Sequence, residues 1–140
     1  MQPLAIALVT LVLGQLGKPL DGNWTASYQG TTYVRLTFTD GATALQGTMS
    51  LGPRIHVDTQ GNVDSVTEAA SMPTRIFDIR WSNGALSFGR DDGPGVDRYE
   101  FRLIDATHGE LFLILSGEEQ RQVAAGQIPL PKPFQLTKTP

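Results

Sequence analysis

The chain has 140 residues, which suits one domain able to bury a core without help from disulfides or metal. A net charge of -3 opposes electrostatic capture of nucleic acid, whose binding rests on clustered Lys and Arg. The absence of Cys excludes a disulfide framework, a thiolate zinc site, a cysteine nucleophile and lipid attachment through cysteine.

Residues 1–19 read as an export segment. Pro3 to Leu16 is apolar apart from Thr10 and Gln15, and it is short of the roughly 20 residues needed to cross a bilayer. No Lys or Arg precedes it, and Val12-x-Gly14 is the nearest small-x-small cleavage pattern. An uncleaved anchor, which would be the chain's one membrane contact, and an apolar helix docked on the domain are the other readings. Residues 20–140 form a single domain, expected to be extracytoplasmic (periplasmic or secreted) and monomeric.

From Asn23 the apolar period becomes two, the signature of half-buried strands. Trp24, Ala26 and Tyr28 share one face of a first strand, and Val34, Leu36 and Phe38 one face of a second, with Tyr33, Arg35 and Thr37 outward. Gln29-Gly30 joins them, and Asp40-Gly41 marks the next hairpin because both residues tolerate positive φ. Leu45, Gly47, Met49 and Leu51 define a third strand. After Gly52-Pro53, Arg54 to Val57 is extended, and Asp64-Ser65 with Glu68 predicts one capped helical turn.

Phe77, Ile79 and Trp81 then alternate with Asp78 and Arg80, turn at Asn83-Gly84 and continue through Leu86 and Phe88. Beyond the glycine-rich loop 89–95, Tyr99, Phe101 and Leu103 alternate with Arg98, Glu100 and Arg102. The unbroken run Leu111 to Leu115 predicts a strand covered on both faces. Its cover is expected from a short helix over Gln120 to Ala125, opened by the capping box Ser116…Glu119 and stopped by Gly126. Pro129, Pro131 and Pro133 forbid helix, and Phe134-x-Leu136 forms a last strand that can pair with the first and remove two edges. The expectation is an all-β, antiparallel up-and-down barrel of about eight or nine strands, with one short helix before the last strand; a β-sandwich is the alternative.

Gly22-Asn23-Trp24 at the first strand resembles the Gly-x-Trp signature of lipocalins and related calycin barrels. The resemblance implies that Trp24 plugs one barrel end, with Arg121 as a loose candidate for the basic residue that covers it. Asp97-Arg98-Tyr99 only distantly echoes the family's central Thr-Asp-Tyr motif. Gly22-Asn23-Trp24, Asp40-Gly41 and Gly47-Thr48 are also similar to uncharacterised exported bacterial β-barrel proteins.

Chemistry-bearing residues are few. His56-x-Asp58 would share a face of an extended segment as half of a metal site, but a surface histidine by a turn is the plainer reading, as it is for His108 in its hairpin turn. Asp91, Asp92, Asp97 and Glu100 cluster without the spacing of a calcium loop. No nucleophile elbow, phosphate loop or dinucleotide fingerprint occurs. No catalytic residue, metal ligand or cofactor is assigned. The inward apolar set offers the leading hypothesis, a small hydrophobic molecule held among Trp24, Leu36, Phe38, Met49, Phe77, Trp81, Phe88, Tyr99 and Phe101. The alternative is a solid-core protein-interaction, inhibitor or envelope-structural domain, acting through an outward stripe of Arg35, Asp78, Arg80, Glu100 and Arg102.

Overall fold

The computed structural model describes residues 20–41 and 44–140. The export-segment reading of residues 1–19 lies outside them. Strands β1 (Gly22–Tyr28), β2 (Thr31–Asp40), β3 (Leu45–Leu51), β6 (Thr74–Ser82), β7 (Ala85–Asp91), β8 (Val96–Leu103), β9 (His108–Ile114) and β10 (Phe134–Thr139) close a barrel in the order β1-β10-β9-β8-β7-β6-β3-β2. Every contact between neighbours is antiparallel, and β10 pairs with β1. The closing strand therefore removes the edges that β1 and β9 would otherwise present.

Tight turns set the register. Gln29-Gly30 and Asn83-Gly84 both have positive φ at both residues, the geometry that matches the strand twist in two-residue hairpins. At Asp40-Gly41 the connection is longer, with Gly41 N–H donating to the Ala44 carbonyl at 3.0 Å.

Between β3 and β6 the chain builds a hairpin, β4 (Ile55–Val57) and β5 (Val63–Val66). The helical turn expected at Asp64 is thus corrected to a strand. Asp58 directs the reversal, since its Oδ1 accepts from Gln60 N–H at 2.9 Å and Asn62 N–H at 3.0 Å while Gly61 takes φ 85°. Ile55, Val63 and Val66 pack onto the core, so the hairpin covers part of one barrel end. The proline tail is tied to this hairpin by Lys132 N–H donating to the Gly61 carbonyl at 3.0 Å.

The helix α1 (Gly117–Ala124) has the predicted capping box, Ser116 Oγ accepting from Glu119 N–H and Glu119 Oε1 accepting from Ser116 N–H. It buries none of its residues, and so it does not cover the outside of β9. Phe112 lies instead under the Arg102 guanidinium, 5.2 Å from its ring centre, and Ile114 remains 42% exposed.

Trp24, on β1, lies in the core beneath Leu20. It is fully buried, and its indole N–H donates to the Leu20 carbonyl at 2.9 Å, which satisfies the one polar atom of the ring. The cation over its ring is Lys138 of β10, its cross-strand partner, with Nζ 5.7 Å from the ring centre. Arg121, on the exposed surface of α1, does not take that position.

Candidate functional site

Seven of the nine residues proposed to line a ligand site do meet in the barrel interior: Trp24, Leu36, Phe38, Met49, Phe88, Tyr99 and Phe101 are all buried. Their rings touch. Trp24 meets Phe101 edge to face at 5.1 Å, Phe38 meets Phe88 at 6.3 Å and Phe101 at 5.7 Å, and Phe88 stacks on Tyr99 at 5.8 Å. Since β2 and β8 stand on opposite sides of an eight-strand ring, the Phe38–Phe101 contact crosses the barrel's full width. Side chains fill the interior at this level, as an eight-strand barrel allows. Gly109 makes room for this packing, because a Cβ there would lie 2.4 Å from the Phe101 ring.

Phe77 and Trp81 are the corrections. They are 40% and 42% exposed, and Ile76 takes the buried position instead. For Phe77 a β-bulge is the reason. Ile76 pairs with Arg90 and Phe77 with Gly89, after which the register shifts before Arg80 pairs with Ser87, with Asp78 at φ 54°. Phe77 therefore faces outward, its ring over Gly89, where a Cβ would meet it at 3.0 Å. Trp81 stands opposite Leu86 at the rim, beyond the point where β3 begins at Leu45. A second bulge, where Ala26 pairs with Val34 but Ser27 with Thr32, brings Tyr33 into the core beside Val34, contrary to its expected outward position. Tyr33 meets Phe134 edge to face at 5.5 Å, and burial raises its phenol pKa.

With the apolar interior occupied, the exposed chemistry lies on the outer face of β6 to β9. The register aligns Phe77, Gly89, Arg98 and Ile114 in one row and Arg80, Ser87, Glu100 and Phe112 in the next. Asp78 accepts from Arg80 Nε at 2.8 Å and from Arg98 Nη1 at 3.1 Å, while Glu100 pairs with Arg102 at 2.7 Å. The result is a surface of aromatic and aliphatic groups held among arginines with partly compensated charge. Arg35, assigned to the same stripe from sequence, lies on β2 and faces Glu68 at 3.8 Å. Sequence reasoning leaves Arg98, Phe112 and Ile114 out of that stripe; the outward alternation of β8 and β9 is the signal that finds them.

A smaller polar group occupies the inward face of β7 and β8 near α1. Arg90 pairs with Asp97 across these strands, and its Nε is buried with no hydrogen-bond partner among the described residues. Burial raises the Asp97 carboxyl pKa, helped by the neighbouring Asp92 and opposed by Arg90. Burial likewise pushes the Tyr99 phenol up to about 12, and the charge of Asp97 adds to the shift.

The histidines and the acidic loop serve turns. His56 pairs with Asp64 across β4–β5, not with Asp58. Asp105 Oδ1 accepts from Thr107 N–H at 2.9 Å and His108 N–H at 2.8 Å and meets His108 Nδ1 at 2.9 Å, which holds its carboxyl down to about 2. Asp91 accepts from Gly93 N–H and Asp92 from Gly95 N–H, each at 2.9 Å. Among the described residues no three His, Cys, Asp or Glu side chains converge to hold a metal, and no helix is long and apolar enough to cross a membrane.

No protein-family model, no curated protein and no solved structure matches the chain.

Proposed function

We propose that this is an exported, non-enzymatic barrel that binds another protein through the outer face of β6 to β9. The observation that carries the reading is the pairing of a ring-filled interior with an outer surface presenting Phe77, Phe112 and Ile114 among Arg80, Arg98 and Arg102. Aromatic side chains and arginine are the residue types over-represented in protein interfaces, because they offer large contact area, little ordering cost and fixed hydrogen-bond geometry. The apolar leader supports the exported location. A small apolar molecule inside the barrel is the second reading, favoured by the convergence of seven of its nine residues; it is the weaker one because the Phe38 and Phe101 rings occupy the volume that such a ligand would need. The test is capture of partners on the immobilised protein at moderate salt. A partner retained by the wild type and lost on Arg80→Ala with Arg102→Ala supports the outer face; a partner equally retained by both proteins contradicts it.

A further inference from the structure

The barrel is joined least at one seam. β3 and β6 share only the pairs Thr48 with Arg75 and Met49 with Thr74, whereas β2 and β3 are in register from Val34 with Leu51 to Asp40 with Leu45. The bulge supplies the cause. Asp78, turned to φ 54° and bound to Arg80 and Arg98 on the outer face, increases the local twist of β6 and leads it away from β3. Among the described residues, β6 from Ile79 to Ser82 pairs with β7 alone, and Leu45 to Gly47 pair with β2 alone. One edge of each segment therefore presents backbone N–H and C=O groups without a strand partner. A groove of about 260 Å³ runs along the joint, lined by Leu45, Gln46, Arg75, Ile76, Phe77 and Ile79 among others.

We infer that this seam captures an extended segment of another polypeptide, apolar and acidic at alternating positions, by strand addition to the free edge of β6. The inference rests on the outer-face reading above and names how the partner engages beside it. Only a strand satisfies a row of unpaired backbone donors and acceptors, while alternate side chains of that strand reach the groove on one side and the surface on the other. Its apolar positions meet Leu45 and Ile79. Its acidic positions are set by charge: Arg75 is exposed and makes no ion pair among the described residues, and Arg80 and Arg98 share the single carboxylate of Asp78. The same charges disfavour a second copy of this chain as the occupant, since an antiparallel pairing of two free β6 edges centred on Arg80 would set the Arg80 side chains of the two copies against each other.

The test selects from a phage-displayed library of nonapeptides alternating Val, Ile or Phe with Asp or Glu, using the full chain as bait. Because the chain lacks cysteine, the double variant Gln46→Cys with Phe77→Cys places its only thiols across the seam, where oxidation locks it and reduction reopens it. Selected peptides are expected to bind the oxidised variant about tenfold more weakly than the reduced one, a loss near 1.4 kcal/mol. They are also expected to slow amide exchange at Ile79 to Ser82 by about tenfold, and to lose binding when their own amides are N-methylated at every second residue. Peptides whose binding ignores both N-methylation and the disulfide, yet is lost on Arg80→Ala with Arg102→Ala, would overturn strand capture and leave the outer-face reading standing. A selection that yields no peptide overturns strand capture as well, and partner capture with the arginine variants then decides the outer face separately.

Discussion

The rings of Phe38 on β2 and Phe101 on β8 meet across the barrel with centroids 5.7 Å apart and planes tilted by 46°. This contact spans the barrel where a ligand would otherwise sit, and Trp24 and Phe88 pack onto the same pair. Phe101→Ala should therefore cost about 3–5 kcal/mol, since it removes a fully buried ring and leaves a cavity. The check is the urea midpoint. A dry cavity lined by aromatic and aliphatic groups takes up small apolar molecules, so the variant should regain part of its stability with benzene and the wild type should not.

Gly109 has no such tolerance in the other direction. A methyl group there would sit 2.4 Å from one Phe101 ring carbon and 2.6 Å from another, with the Arg102 carbonyl 3.1 Å away. Gly109→Ala should destabilise by about 1–3 kcal/mol through overpacking. Combining it with Phe101→Leu should recover stability, which a thermal melt of the single and double variants measures.

Alkaline pH should destabilise the protein through Tyr99. Its phenol is pushed up to about 12, by burial first and by the Asp97 charge second, with Asp92 and Glu119 adding and Arg90 opposing. A folded pKa above the ordinary 10 means that the native state keeps its proton after the unfolded chain has lost it. Stability is thus full below pH 10 and falls between about 10 and 12, at roughly 1.4 kcal/mol per pH unit for one group. Following circular dichroism and tyrosinate absorbance together tests this. Tyr99→Phe should flatten the decline that remains after the contribution of Tyr33, whose pKa is also raised, is allowed for.

Much of this architecture is readable from sequence because local chemistry agrees with the global fold. Asn83-Gly84 specifies a two-residue hairpin by itself, Ser116 and Glu119 specify a helix start, and the apolar spacing from Trp24 to Phe38 assigns an inward face. The misplacements of Phe77 and Tyr33 share one physical origin. A bulge inserts one residue and reverses the facing of the residues beyond it, and nothing in Phe77-Asp78-Ile79 or Thr32-Tyr33-Val34 announces it, since neither bulge is carried by glycine. The candidate surface shares that difficulty. Its arginines are legible as outward residues, but the facing of Phe77 depends on the bulge. The strand at Val63–Val66 is hidden for a different reason: its pairing with β4 is directed by Asp58 and Gly61, while its own residues carry a capping pattern.

The arginines of the outer face should matter little to the fold. Arg102 and Arg80 are more than half exposed, and exposed ion pairs contribute about 0–1 kcal/mol. Arg80→Ala with Arg102→Ala should keep the thermal midpoint within a few degrees of the wild type while abolishing partner capture. Coincident loss of the fold, read by near-ultraviolet circular dichroism, would show these residues to be structural instead.

A filled barrel interior, with binding left to the outer face, is tested most directly by recording methyl and aromatic NMR spectra of the protein during titration with decanoate, a flexible apolar acid slim enough to enter any continuous channel. The Leu36, Met49 and Phe88 resonances should stay fixed to the end of the titration. Saturable shifts of those resonances would contradict a filled interior and return the function to a ligand carried inside the barrel.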